Sequence, residues 1–182
     1  FLKNDCINSI HGIRHTMRVI SNASNLIVNR KTRSTTARNL LIACSLHDLR
    51  RKDDKGDEGH AKRAVEWFRK NYSNVLRKFA ITLSKSDIDE ISSAIYLHEI
   101  PYSQIETVDE YYKHKEIVDL LKTADALDRY RLPKLKWWID NEFIKIIPSD
   151  NEKMFAYKLV VNSEEKYIST NNSIKSILSS LI

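Results

Sequence analysis

Glycine, proline and cysteine are scarce in this chain of 182 residues, which contains three Gly, three Pro and two Cys. So few turn-forming residues argue against a β-sandwich and leave room for long helices. Cys6 and Cys44 are too few for a disulfide framework, so we expect buried, reduced thiols in a cytoplasmic protein. No apolar run approaches the ~18 residues of a membrane span, and Lys3 and Asp5 interrupt any signal peptide. We therefore expect no membrane partner.

Composition places the chain among folded proteins with one main core. The apolar fraction is 42% and the charged fraction 30%, which excludes a disordered or low-complexity chain. The net charge of +6 suits an anionic ligand such as a nucleotide or a nucleic acid, without choosing between them. Because the chain begins with Phe1, we expect a piece of a longer protein, and the oligomeric state stays open.

Apolar residues recur at helical spacing as far as about residue 140. The pattern predicts helices over 1–11, 15–29, 35–47, 60–73, 74–83, 86–98 and 115–130, with Ser86 as a cap and with loops over 50–57 and 100–113. The helix that ends at His47 is nearly apolar between 40 and 46, so we expect it at the centre of the core.

The pattern weakens beyond Pro133. Residues 154–161 fit either a strand or a helix, and the Ser- and Asn-rich residues 162–173 fit a loop. The predicted fold is therefore an all-α bundle over 1–135. Residues 136–182 are predicted to be a C-terminal extension that packs on this bundle, with a mixed or irregular structure as one alternative.

Histidines and acids stand where the predicted helices end. His15, His47, His60 and His98 lie at or near helix ends, where side chains from different helices share a space. Asp125 interrupts an apolar helical face, and a carboxylate buried there would be costly without a cation or strong donors. An ion pair of Asp125 with Arg129, four residues later, is the alternative.

The order of these residues resembles the HD superfamily of metal-dependent phosphohydrolases. Three segments are similar to the family's H-S-x-R-V, H-D-I-G-K and A-D-x-L patterns, and they read HTMRV from His15, LHDLRR from Leu46 and ADALD from Ala124. The likeness spans about residues 9–131 and implies an all-α, HD-domain-like bundle. Two positions depart from the family, because Arg50 replaces its glycine and Arg51 replaces its lysine.

The resemblance implies a metal centre, and the donor types agree with one. Neutral imidazoles and carboxylates suit Mn²⁺, Fe²⁺, Co²⁺, Ni²⁺ or Zn²⁺ better than Mg²⁺. We predict one ion bound by His15, His47, Asp48 and Asp125. A second ion would be bridged by Asp48 and held by His60 and His98, and whether one or two ions bind stays open. Such ions supply hydroxide near neutral pH and neutralise phosphoryl charge.

Four residues are predicted to take part in catalysis beside the ion. Asp48 holds the metal, and Arg18, one turn from His15, is expected to grip a phosphate bidentately. Arg51 is expected to keep a cation beside the phosphate, as the family's lysine does. Asp128, three residues after Asp125, is expected to orient a ligand or a catalytic water.

Three further residues receive weaker roles. His11 is expected to cap or hydrogen-bond near the site rather than to bind metal, and Glu99 is a candidate outer base. His114 is expected at the surface.

The predicted function is metal-dependent hydrolysis of a phosphate ester of a nucleotide or a related small molecule. Two alternatives remain open. One is a nuclease or cyclic-nucleotide phosphodiesterase of the same fold, which the positive charge mildly favours. The other is a regulatory module that binds a nucleotide without turnover and uses the metal as a structural clamp.

Overall fold

The fold consists of α-helices, with no strand in the part of the chain that the computed structural model describes, residues 2 and 4–181. The helices are α1 (Ile13–Arg30), α2 (Ser34–Leu46), α3 (His60–Arg77), α4 (Lys85–Leu97), α5 (Tyr102–Ile105), α6 (Asp109–Lys113), α7 (Lys115–Leu127), α8 (Asp150–Thr170) and α9 (Ser173–Leu178). Short 3₁₀ segments lie at Asn4–Cys6, Asp128–Arg131, Leu135–Trp137 and Asn141–Phe143. The predicted all-α class is confirmed.

Helix α2 lies at the centre of the core, as its apolar sequence predicted. It packs against α1, α4 and α7. Leu40, Ala43 and Cys44 on α2 are fully buried. Cys6 is buried as well, and both cysteines are free thiols.

Several predicted boundaries are wrong. Helix α4 is capped by Ser84 rather than Ser86, because Ser84 and Asp87 bond each other's backbone N–H in a capping box. The predicted helix 74–83 does not exist as a unit, since α3 continues to Arg77 and Ala80 turns the chain with φ 54°. The predicted loop 100–113 contains α5 and α6. Residues 1 and 3 of the predicted helix 1–11 lie outside the described residues, and within the rest of it only Asn4–Cys6 is helical.

The C-terminal part is more regular than predicted. Residues 154–161 are helical, and the predicted loop 162–173 is wrong because α8 continues to Thr170. Ser163 is tolerated there because its hydroxyl donates to the carbonyl of Val160 while Arg18 of α1 donates to the hydroxyl. Most of the irregular structure in the described C-terminal residues lies in the connection 132–149, which contains two 3₁₀ turns.

Helices α8 and α9 pack on α1, and α8 also contacts the 3₁₀ segment 128–131. The boundary at 135 between a bundle and an extension stays a prediction. No helix of the described residues has the length and apolar character needed to cross a membrane.

Five helix termini meet at one end of the bundle. His15 stands in the first turn of α1 and His60 begins α3, while His47 and His98 directly follow α2 and α4. Asp125 stands in the last turn of α7. The fold therefore brings together side chains that are up to 110 positions apart in the sequence.

Candidate metal centre

Five imidazoles form a continuous row at this end of the bundle, in the order His11, His15, His47, His98 and His60. Neighbouring ring centroids lie 5.5, 5.2, 5.1 and 5.1 Å apart, each pair edge to face. His15, His47, His60 and His98 are the four histidines predicted to share a space. The row places ring nitrogens from four helix ends next to one another.

The four rings other than that of His11 are turned so that one nitrogen faces the cluster and the other contacts an oxygen atom of the protein. The Nδ1 atoms of His47, His60 and His98 lie 2.8, 2.8 and 2.6 Å from the backbone carbonyls of Cys44, Asp57 and Ile95. The Nδ1 atom of His15 lies 2.7 Å from Oδ2 of Asp128. Because a carbonyl oxygen only accepts, the Nδ1 atoms of His47, His60 and His98 carry a proton, and in the neutral ring Nε2 is the nitrogen with the free lone pair. Metal-binding histidines are oriented in the same way.

The two carboxylate oxygens of Asp48 face two different pairs of ring nitrogens. Its Oδ2 atom lies 3.4 Å from His15 Nε2 and 3.9 Å from His47 Nε2. Its Oδ1 atom lies 3.0 Å from His60 Nε2 and 3.8 Å from His98 Nε2. We call Oδ2 with His15, His47 and Asp125 the first half-site, and Oδ1 with His60 and His98 the second half-site.

Asp125 completes the first half-site from α7. Its Oδ1 atom lies 3.4 Å from His15 Nε2 and 4.0 Å from His47 Nε2, while 36% of its side chain is exposed. At bonds of about 2.1 Å, octahedral ligands lie about 3.0 Å apart on adjacent corners and about 4.2 Å apart on opposite corners. The separations between the imidazole nitrogens and the carboxylate oxygens of the first half-site, 3.4–4.0 Å, fall in this range.

The protonation states also suit a cation. Burial lowers the pKa of His47 to about 4, so this imidazole is neutral at pH 7. Burial opposes ionisation of Asp48, but the surrounding imidazoles, His47 first, hold its pKa well below its usual range. Burial also opposes the charged form of His60, yet hydrogen bonds with Asp48 and Glu99 raise its pKa to about 10. Carboxylates that draw a proton onto an imidazole attract a divalent cation in its place.

Arg18 does not reach the site, so its predicted contact with a phosphate is wrong. It is 2% exposed, and its Nε atom donates to Oδ1 of Asp128 at 2.6 Å. Its Nη1 atom donates to Glu164 of α8 at 2.6 Å. Asp128 is fully buried and positions His15. It can orient a ligand, as predicted, but it does not touch the space where substrate would lie.

Arg51 lies beside the site, as predicted. Its Nη1 atom is 3.5 Å from Oδ1 of Asp48 and 3.5 Å from Nε2 of His60. Its other nitrogens donate to the carbonyls of Asp53 and Lys55, which fixes the loop before α3. Glu99 is also adjacent, with Oε2 2.8 Å from Nδ1 of His60.

A cavity of about 770 Å³ opens over the cluster, and several residues in its wall were not predicted from the sequence. Lys122 donates to the carbonyls of Leu97, His98 and Ile100, and burial lowers its pKa to about 8. Its spacing of three residues from Asp125 on α7 could have revealed it. The connection 132–149 supplies further wall residues, among them Trp138 and Phe143, and no motif marks them.

His114 corrects a further expectation, because it is buried rather than at the surface. Its Nε2 atom lies 3.3 Å from Oε1 of Glu110, away from the row of imidazoles.

Comparison of the chain with models of known protein families, with characterised proteins and with solved structures finds no match. The resemblance to the HD superfamily therefore rests on the motifs of this chain.

Proposed function

We propose that this chain belongs with the HD phosphohydrolases it resembles and hydrolyses a phosphate ester of a nucleotide or a related small molecule with one or two divalent transition-metal ions. The observation that carries the proposal is the division of Asp48. One carboxylate faces two pairs of imidazole nitrogens, and each pair has its own carboxylate oxygen. A bridging carboxylate of this kind suits two ions a few ångströms apart.

The residues of the chain have separable tasks in this reaction. When bound, such ions acidify water and neutralise negative charge on phosphoryl oxygens. Asp48 and the four histidines hold the ions, and Asp125 adds a carboxylate on the side that opens to the cavity. Asp128 and the backbone carbonyls keep the rings oriented. Arg51 brings a positive charge to within 3.5 Å of Asp48, where a phosphate oxygen would approach.

The size and walls of the cavity support a nucleotide as the substrate. A volume of about 770 Å³ lies in the range of small-ligand pockets, which is roughly 300–1,000 Å³. Arg129, Arg131 and Lys136 add basic groups to its wall. Trp138 and Phe143 add aromatic groups, and Phe143 is 67% exposed. Stacking of a nucleobase on an aromatic side chain contributes about 1–3 kcal/mol.

The test combines metal analysis with a substrate panel. The purified chain is loaded with Mn²⁺, Co²⁺ or Zn²⁺, and its metal content is measured. Hydrolysis is then followed with nucleoside phosphates, a phosphomonoester and a phosphodiester. We expect bound metal and turnover in the parent, and loss of both in the His47→Ala/Asp48→Ala double variant. Full activity in this variant contradicts the proposal.

The chain offers a matched control in His114, the histidine that lies outside the row. We expect His114→Gln to keep its metal and its activity per folded molecule. The panel also separates the alternatives. Cleavage of oligonucleotides with a steep dependence on salt indicates a nuclease, whereas stoichiometric nucleotide binding without turnover indicates a regulatory module.

A further inference from the structure

His11 lies on a tight turn just before α1, and the turn aims it at the first half-site. The N–H of His11 is 3.3 Å from Oγ of Ser9, and the Ile13 N–H donates to the carbonyl of Ile7 at 2.8 Å. Gly12 permits this turn, because a Cβ atom there would lie 2.2 Å from the Ile7 carbonyl oxygen. Arg131 donates to the carbonyl of Ile10 at 2.9 Å. The backbone around His11 is therefore fixed from both sides.

The ring of His11 is turned the opposite way from the other four. Its Nδ1 atom, rather than Nε2, faces the cluster and lies 3.0 Å from Oδ2 of Asp48. Arg131 Nη2 is 3.4 Å from the same Nδ1. These two contacts place Nδ1 of His11 beside a carboxylate oxygen of the first half-site and beside a guanidinium group.

The separation of 3.0 Å is the distance expected for neighbouring ligands of one ion. His11, His15 and Asp48 each offer a ligand atom within 4.8 Å of the other two, and both rings contact Oδ2 of Asp48. The same Asp48 oxygen belongs to the first half-site. We propose that His11 is a fifth protein ligand of the first half-site and binds the ion through Nδ1. This inference rests on the proposed function, because it needs the first half-site to hold a metal.

With His11 included, five protein donors would bind the ion of the first half-site, and this number determines which metals the site prefers. His11, His15 and His47 supply three nitrogens, and Asp48 and Asp125 supply two oxygens. One position of an octahedron is then left for water or for a substrate oxygen. Zn²⁺ in proteins is usually four-coordinate, whereas Mn²⁺ and Co²⁺ accept six ligands. The first half-site should therefore hold Mn²⁺ or Co²⁺ with this complete donor set.

The test counts the imidazole ligands of one ion. The His98→Ala chain serves as the parent, because the second half-site then keeps only His60 and one oxygen of Asp48. Co²⁺ is added, and the hyperfine-shifted ring N–H protons are counted by NMR. The affinity for Co²⁺ is measured by competition with a chelator. Three shifted ring protons are expected in this parent and two after His11→Gln, with a dissociation constant raised about tenfold or more.

Further variants separate ligation from a hydrogen bond to Asp48. Gln at position 11 can still donate to Asp48, so a merely positioning role predicts normal affinity in His11→Gln. His11→Asp supplies a carboxylate ligand and should recover much of the lost affinity. His114→Gln in the same parent is the control and should change neither the proton count nor the affinity. The His11 side chain is 19% exposed and contacts Asp48, so unfolding curves are measured without metal for each variant to separate a loss of folding from a loss of ligation.

The outcomes distinguish the inference from the function on which it rests. An unchanged count of ring protons and an unchanged affinity in His11→Gln overturn the assignment of His11. The hydrolase proposal then stands on the other ligands. A wild-type chain that binds no Co²⁺ overturns both.

Discussion

Two groups of charged side chains meet at α1, and the acids in one group have different partners from the acids in the other. Along the side of the helix, Arg14 and Arg18 pair with Glu164, Arg18 also pairs with Asp128, and Arg30 pairs with Glu152. We call these residues the α1 seam. At the beginning of the helix, the carboxylates of Asp48 and Asp125 face imidazoles instead.

The difference separates a structural use of charge in the α1 seam from the proposed functional use of charge in the cluster. Guanidinium groups are permanently charged, so the α1 seam is complete within the chain. Imidazoles adapt their charge, so the cluster can take up protons or, in our proposal, a metal ion. Asp125 belongs to the cluster and Asp128 to the α1 seam, although the two residues are only one helical turn apart. Asp128 is fully buried against Arg18, whereas Asp125 is 36% exposed towards the cavity.

The largest effect on stability is expected from breaking the α1 seam at Arg18. Arg18→Ala leaves the Asp128 carboxylate buried without its closest cation. Removing one partner of a buried ion pair costs about 3–5 kcal/mol. Urea unfolding of the metal-free chain measures the loss. Arg33→Ala is the matched control, because the Arg33 side chain is 78% exposed. This substitution should lower the free energy of unfolding by less than about 1 kcal/mol. Equal stability of the two variants contradicts a structural role for the seam.

The opposite behaviour is expected at Asp125, in the cluster. Asp125→Asn removes a proposed ligand but no guanidinium partner of the seam. It ends the cost of burying the Asp125 charge together with the attraction of that charge to His15 and His47, and these two effects oppose each other. The free energy of unfolding without metal should therefore change by less than about 1 kcal/mol. Metal affinity should fall about a hundredfold, which corresponds to about 2.8 kcal/mol. Calorimetric titration with Mn²⁺ measures it, with the exposed Asp109→Asn as control. If the metal-free Asp125→Asn variant is destabilised as strongly as Arg18→Ala, the cluster and the α1 seam do not differ in their contribution to stability.

The cluster could be predicted from the sequence better than the α1 seam. Periodicity locates helix ends, and histidines at four ends of a small bundle have few other places to meet. Arg18 shows the limit of this reasoning. Spacing of one turn placed it on the same side of α1 as His15, but its long side chain reaches Asp128, 110 positions away. Nothing local in the sequence marks that partner.

Two further features were hidden for related reasons. The Ser- and Asn-rich end of α8 has weak helix propensity, and its helical state follows from packing on α1. His11 was expected to support the site from outside, because the sequence does not reveal the turn that directs its Nδ1 inward. The ligand roles themselves stay predictions until metal binding is measured.

A smaller effect is expected from pH at the far end of the α1 seam. Burial opposes ionisation of Glu152, but Arg30 and the helix cap at Ser149 lower its pKa from 4.5 to about 2. A lowered pKa means that the stabilisation is complete above pH 4.5 and is lost as the pH falls towards 2. The free energy of unfolding is measured for the wild type and for Glu152→Gln from pH 7 to pH 2. The variant should be less stable by about 2 kcal/mol at pH 7 and by almost nothing at pH 2. A difference that does not depend on pH contradicts the assignment.

The smallest effect is expected where the α1 seam reaches solvent. Glu164 is 36% exposed and accepts from both Arg14 and Arg18. Glu164→Gln keeps an acceptor oxygen and leaves Asp128 to balance the charge of Arg18, so the cost should be about 0.5–1 kcal/mol. High salt should reduce this cost further, because exposed charges are screened, whereas the cost of Arg18→Ala should persist. Urea unfolding at low and high ionic strength checks both. A loss as large as that of Arg18→Ala would show that Glu164, rather than Asp128, is the main partner of Arg18.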